Sequence, residues 1–208
     1  SGNYYERLNY AVGESNEPGS AFKVMAMVAA LEAKVIDTGT MVDTGGGRYI
    51  IHGRAINDSR KGGYGKISAA RALEVSSNIA FARLIEEHFG KTPDKFINSL
   101  KGMHLNDKIG IPIKGEGTPE IPGPGEKKWS KNALPSIAYG YNISLTPLQI
   151  LTFYNAIANN GEMVKPRFIK EIRSWDKQHV ESFEKEVINP AICSKKTIDK
   201  MQEMLKNV

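Results

Sequence analysis

A single cysteine, Cys193, stands among 208 residues. One thiol closes no intrachain disulfide and builds no thiolate metal site, and it leaves the redox compartment open. The four histidines are scattered, and none has the spacing of a metal-ligand pair. No apolar run approaches the roughly 20 residues that a membrane-spanning helix needs. No stretch shows the charged, apolar and small-residue order of a signal peptide. Blocks of like charge are also missing, as is any basic stripe interleaved with aromatics. The 28 basic and 23 acidic residues leave a formal charge of +5, which reads as a solvated surface and speaks against nucleic-acid binding. After Gly45-Gly46-Gly47 comes neither Gly-Lys-Ser/Thr nor the rest of a dinucleotide fingerprint, so these glycines make a turn and no phosphate cradle. There is no internal repeat and no low-complexity tract.

What remains is ordinary globular composition, 40% hydrophobic and 25% charged, and a length that suits one domain with a sizeable core. The chain is organised around Glu17-Pro18-Gly19-Ser20-Ala21-Phe22-Lys23. Pro18 and Gly19 break the chain, and Ser20 suits an N-cap or first-turn position. The run from Val24 to Ala33 is helix-forming and apolar nearly all round, which predicts a buried helix. Residues 4–19 read as loop, Tyr49–Ile51 as a short strand, and His52 to Gly65 as loop again. Helices are expected over Ile67–Glu74, Ile79–His88, and Pro93 to about Leu100. A long glycine- and proline-rich loop should follow, Ile109 to Pro135. Thr146-Pro147-Leu148-Gln149 is a capping box opening a helix to Ala158. Phe168–Arg173 and Val180–Phe183 read as a hairpin turning at Asp176-Lys177, and a last helix starts near Ser194. The fold class is α+β, mostly helical with a minor sheet.

One helical turn separates Ser20 from Lys23, so hydroxyl and amine share a face at the positive end of a buried helix. That placement suggests a nucleophile with its base. Ser-x-x-Lys alone is weak, since it also occurs at Ser174/Lys177 and Ser182/Lys185, in the expected exposed hairpin. Ser-x-Asn occurs at Ser76/Asn78, on a break between two helices 56 residues after Ser20. Its other copy, Ser130/Asn132, lies in the long loop, where it reads as turn chemistry.

Ser20-x-x-Lys23 combined with Ser76-x-Asn78 resembles the active-site serine acyltransferases, the penicillin-binding proteins and serine β-lactamases. The likeness extends along most of the chain. Asn9 to Glu14 running into Glu17–Ser20 looks like the approach to a class B penicillin-binding protein transpeptidase domain. Ala138-Tyr139-Gly140-Tyr141, Thr146–Gln149, Ala156–Gly161 and Val164-Lys165-Pro166 are similar to its second half. The nearest likeness is to the cell-division peptidoglycan D,D-transpeptidases. The family's third motif, Lys-Thr/Ser-Gly, is absent: Lys91-Thr92 runs into Pro93 and Lys196-Thr197 into Ile198. The resemblance therefore implies that residues 1–208 are an internal piece of one transpeptidase domain, lacking most of the central antiparallel sheet.

As the resemblance implies, Ser20 attacks a D-Ala-D-Ala stem peptide or a β-lactam and Lys23 takes its proton. Ser76 relays the proton to the leaving amine, and Asn78 holds the substrate amide. No metal or organic cofactor is required. Implied partners are the peptidoglycan stem peptide, a cell-division glycosyltransferase and other division proteins. The implied location is the periplasmic face of the bacterial inner membrane, with the anchor outside this sequence. Apolar surface left by the missing strands should be covered by dimerisation or rearranged ends. The competing class is a non-catalytic β-lactam sensor or scaffold with the same fold. A β-lactamase is disfavoured, because no deacylating base is evident.

Overall fold

The computed structural model describes residues 2–3, 8–176 and 178–208. Within the stretch read as loop before Ser20, a short helix, α1 (Tyr10–Gly13), forms because Asn9 Oδ1 accepts the Ala11 N–H at 3.2 Å. A 3₁₀ turn over Gly19–Ala21 then leads into α2 (Phe22–Glu32). Every residue from Phe22 to Leu31 is buried. Its alanines and methionines favour the helix, and burying each larger apolar side chain there contributes roughly 1.5–3 kcal/mol.

Two small antiparallel ladders follow. β1 (Met41–Asp43) pairs with β4 (Lys66–Ser68), and β2 (Arg48–Ile51) pairs with β3 (Arg54–Asn57). The second ladder corrects the expectation of a loop over His52–Gly65. His52 and Gly53 have φ of 47° and 80°, the two left-handed residues of a tight hairpin turn. Ile67 is likewise a strand residue opposite Val42, so α3 (Ala69–Glu74) starts later than expected, after the Ser68 cap.

α4 (Asn78–Phe89) and α5 (Pro93–Gly102) form where predicted, the latter with proline in its first turn. The long loop is interrupted before Pro135 by α6 (Ala133–Ile137). α7 (Pro147–Ala158) opens on the expected capping box. Thr146 Oγ1 accepts from Gln149 N–H at 3.1 Å, and Gln149 Oε1 accepts from Thr146 N–H at 2.8 Å. β5 (Met163–Val164), unforeseen, later pairs with β8 (Val187–Asn189). Between them β6 (Glu171–Arg173) and β7 (His179–Ser182) make the anticipated hairpin. Lys177, one of the two expected turn residues, lies outside the described residues, as do positions 4–7 of the expected first loop. α8 (Lys195–Leu205) ends the chain's regular structure.

The core is helical: α3, α4, α5 and α8 surround α2. Among the described residues, the strands make four two-stranded ladders and no larger sheet. Glu32, at the end of α2, accepts from the Ser194 N–H at 3.1 Å and from the Ser194 and Thr197 hydroxyls at 2.7 and 2.6 Å. These bonds tie the end of α2 to α8, while at its start the 3₁₀ turn before it carries Ser20, which is exposed. No helix among the described residues is long and apolar enough to cross a membrane.

Candidate active site

Ser20 does not cap α2. The helix starts without a side-chain cap, and Ser20 sits in the preceding 3₁₀ turn, exposed. Its partner is Lys23, whose Nζ lies 3.0 Å from Ser20 Oγ. The same amine lies 2.9 Å from Ser76 Oγ and 2.6 Å from the Ser76 carbonyl oxygen. Lys23 is 1% exposed, whereas both serines open to solvent. An ammonium has three donors, and three oxygens stand around it. Once neutral, it keeps two donors and a lone pair, so one hydroxyl can reverse and donate to nitrogen.

Burial pushes the Lys23 pKa down from 10.5 to about 8, against a smaller upward pull from Asp58. That fall corresponds to about 3 kcal/mol of disfavoured charge. Desolvation therefore wins, and near neutral pH a useful fraction of the amine is free base. The Phe81 ring, 6.0 Å from Nζ, returns only a weak cation–π attraction.

The second serine reaches the amine because the α3–α4 junction bends sharply. Ser76 adopts a φ of 54°, a left-handed conformation that costs a non-glycine residue on the order of 1 kcal/mol. Next to it Ser77 caps α4 by accepting the Ala80 N–H at 3.0 Å. Asn78 is close in sequence, but its Nδ2 donates to the Asn57 carbonyl at 3.0 Å. The structure thus joins Ser20, Lys23 and Ser76 directly and ties Asn78, the first residue of α4, to the end of β3.

Other elements fix the Ser20 turn. The Tyr154 hydroxyl on α7 donates to the Ala21 carbonyl at 3.0 Å, and burial keeps that phenol protonated by raising its pKa. Asn16 and Leu145 exchange backbone hydrogen bonds at 3.0 and 3.1 Å. Gly19 N–H donates to the Gly140 carbonyl at 3.0 Å. Gly140 has a φ of 89°, and a Cβ there would overlap the Gly19 carbonyl. Gly140→Ala should therefore displace the turn and lower stability by roughly 2–3 kcal/mol, about 5–10 °C in Tm for a chain of this size. Thermal unfolding checks this, and an unchanged Tm would contradict it. Tyr139 is buried and Tyr141 exposed, their rings 5.4 Å apart, in keeping with packing roles.

The other motif copies assemble nothing comparable. Ser174 bonds Asp176 and the Gln178 carbonyl on the exposed hairpin, and Lys177 lies outside the described residues. Ser182 Oγ lies 2.7 Å from His179 Nε2, while Lys185 pairs with Glu162 at 2.7 Å. Ser130 Oγ accepts the Asn132 N–H at 3.3 Å, turning the chain into α6. Lys196-Thr197 lies in the first turn of α8 and Thr92 just before α5, so neither Lys-Thr pair is on a strand. Sequence reasoning missed Asp58, Ser77 and Tyr154. Nothing about an isolated aspartate 18 residues before Ser76 marks it, and Tyr154 fits the helical pattern without special features.

A buried amine stands between two exposed hydroxyls at the start of a core helix, a serine–lysine cluster on an α+β scaffold. The sequence profile described as the penicillin binding protein transpeptidase domain matches residues 1–208. The chain belongs to the penicillin-binding-protein transpeptidase family, in keeping with the class B likeness seen in its sequence. Stage V sporulation protein D of Bacillus subtilis is 29% identical over 168 residues, covering 78% of this chain and 24% of that protein. PbpB of Mycobacterium tuberculosis is 26% identical over 200 residues, covering 96% of this chain and 28% of that protein. The chain spans about a quarter of the length of these curated relatives. Among solved structures, penicillin-binding protein 3 of M. tuberculosis complexed with aztreonam superposes with a TM-score of 0.78 at 26% identity, covering 95% of this chain and 42% of that one. Penicillin-binding protein A of the same organism gives 0.81 at 21% identity, covering 96% and 44%.

Proposed function

We propose that this chain carries the nucleophilic half of a peptidoglycan D,D-transpeptidase. The observation that carries the reading is the Lys23 amine held within 3.0 Å of both the Ser20 and Ser76 hydroxyls. Neutral Lys23 takes the Ser20 proton as Oγ attacks the carbonyl between the two terminal D-alanines of a stem peptide. The C–N bond of that amide breaks, and the proton passes by way of Ser76 to the departing D-alanine amine. The remaining acyl group is an ester on Ser20. The amine of a neighbouring stem peptide attacks the ester, gives up a proton and releases Ser20, leaving a cross-link. Asn78, beside Ser76, holds the substrate amide. A β-lactam is opened by the same hydroxyl. Two findings support this: FtsI of Escherichia coli, 24% identical over 153 residues, is named a peptidoglycan D,D-transpeptidase, and M. tuberculosis penicillin-binding protein 3 is complexed with ampicillin. By the same likeness the setting is bacterial division at the periplasmic face of the inner membrane, with division proteins as partners.

The reading includes a dependence on adjoining sequence. In the family, a Lys-Thr/Ser-Gly strand binds the substrate carboxylate and supplies one N–H to the oxyanion, and losing one such donor costs about 3–4 kcal/mol. A polypeptide of these 208 residues alone should therefore acylate at least several hundredfold more slowly with a fluorescent penicillin than the intact protein. Exposed Leu151, Phe168, Ile169 and Trp175 also favour its self-association, which sedimentation velocity checks. The intact protein should release D-alanine from a stem pentapeptide. Equal labelling rates would overturn the dependence, and absence of labelling and D-alanine release in the intact protein would overturn the transpeptidase reading.

A further inference from the structure

We propose that Asp58 is a positioning residue for the site, clamping the α3–α4 junction so that Ser76 faces Lys23 and placing a carboxylate charge at that junction. The inference rests on the transpeptidase reading of the same cluster. Asp58 follows β3 directly and is half-buried. Its Oδ2 accepts the Ser77 hydroxyl at 2.8 Å, and its Oδ1 accepts the Ile79 N–H at 3.1 Å. The carboxylate therefore grips α4 on both sides of Asn78, while the Asn57 carbonyl holds Asn78 itself. The last residue of β3 and the one after it, Asn57 and Asp58, fix three consecutive residues of the junction.

The Ser77 hydroxyl is fully buried and fully used, donating to Asp58 and accepting from Ala80. Losing Asp58 would leave that hydroxyl and the Ile79 N–H without their acceptor. The first turn of α4 contains no acidic residue, so Asp58 supplies from another element the negative charge that a helix N-terminus favours. The strained Ser76 conformation persists only where its surroundings over-determine it, and this clamp provides that.

The second effect is electrostatic. Around the amine, the turn before α2 presents Ser20, the junction presents Ser76, and α4 presents the Phe81 ring. All three are neutral. Among the described residues, Asp58 is the only charge whose pull on Lys23 is resolved, and it favours the ammonium. A clamp with this second role leaves a signature that a purely structural residue lacks. Removing the charge while keeping the shape should make Lys23 give up its proton at lower pH.

The test uses the intact protein with ¹³C-labelled lysine. The Lys23 side-chain titration is followed by NMR, and acylation by a fluorescent penicillin is timed across pH. Asp58→Asn retains an oxygen acceptor, so it should fold and shift the Lys23 midpoint to lower pH, with the acid limb of the acylation profile moving the same way. Asp58→Ala removes the clamp and should slow acylation at least about tenfold at every pH. If Asp58→Ala does not fold, the Asn variant alone decides. An unshifted Lys23 midpoint in Asp58→Asn overturns the inference. If wild type fails to acylate, the transpeptidase reading falls, while the Lys23 titration still judges the electrostatic role.

Discussion

Ser20→Ala should abolish covalent labelling by penicillin in the intact protein and leave its unfolding transition nearly unchanged. The hydroxyl is exposed and caps nothing, so its removal takes away one contact, to Lys23 at 3.0 Å. Surface substitutions of this kind fall within about 0.5 kcal/mol. The kinetic effect is of another order. Without the oxygen no ester can form, and loss of a nucleophile in serine enzymes costs roughly 10⁶-fold in rate. The nearby Ser76 cannot substitute. It shares the same amine, but its left-handed backbone and the Ser77 cap hold it in the α3–α4 junction, away from the turn that carries Ser20. Labelling of Ser20→Ala at a rate near that of wild type would contradict the assignment.

Lys23 carries the second large effect. Lys23→Ala should slow acylation by about 10²–10⁴-fold, the usual contribution of a general base. Lys23→Arg should be as slow despite its retained charge, because a guanidinium does not give up its proton in this pH range. For wild type the pH dependence follows from a Lys23 pKa near 8. The free amine is the active form, so acylation falls as pH drops through 8 and levels off above it. Stability moves in the same direction. In the unfolded chain the lysine titrates near 10.5, so below pH 8 folding must bury an ammonium, and the full penalty is present there. As pH rises from 8 to 10.5 the folded state is already deprotonated, and the penalty of about 3 kcal/mol disappears. Acylation–pH curves and urea unfolding at pH 7 and 10 check the two halves. A flat acylation profile across pH 7–9 would remove Lys23 from the role of base.

How much of this was legible in the sequence differs by element. The Ser20–Lys23 spacing and the all-round apolar run of Val24–Ala33 gave the centre of the molecule, because a buried helix leaves few places for a lysine. The capping box at Thr146–Gln149 was equally plain, since its two reciprocal hydrogen bonds are local. Short ladders were less visible. β3 and β5 have four and two residues, too short for alternation to show, and their partners lie across turns or distant sequence. Ser76 was found through its motif, but its contact with Lys23 spans 53 residues and depends on a left-handed bend no local pattern announces. Asp58 and Gly140 act through tertiary proximity alone: one bonds across to α4, and the other makes room for the Gly19 carbonyl.

The central claim is that the Ser20 hydroxyl, activated by the buried Lys23 amine, is the group that becomes acylated. Peptide mapping by tandem mass spectrometry, after brief exposure of the intact protein to a penicillin, tests it most directly. The account predicts a single adduct on the tryptic peptide Leu8–Lys23, with fragment ions placing it on Ser20 and not on Ser15. An adduct on Ser76 or elsewhere, with Ser20 unmodified, would contradict it.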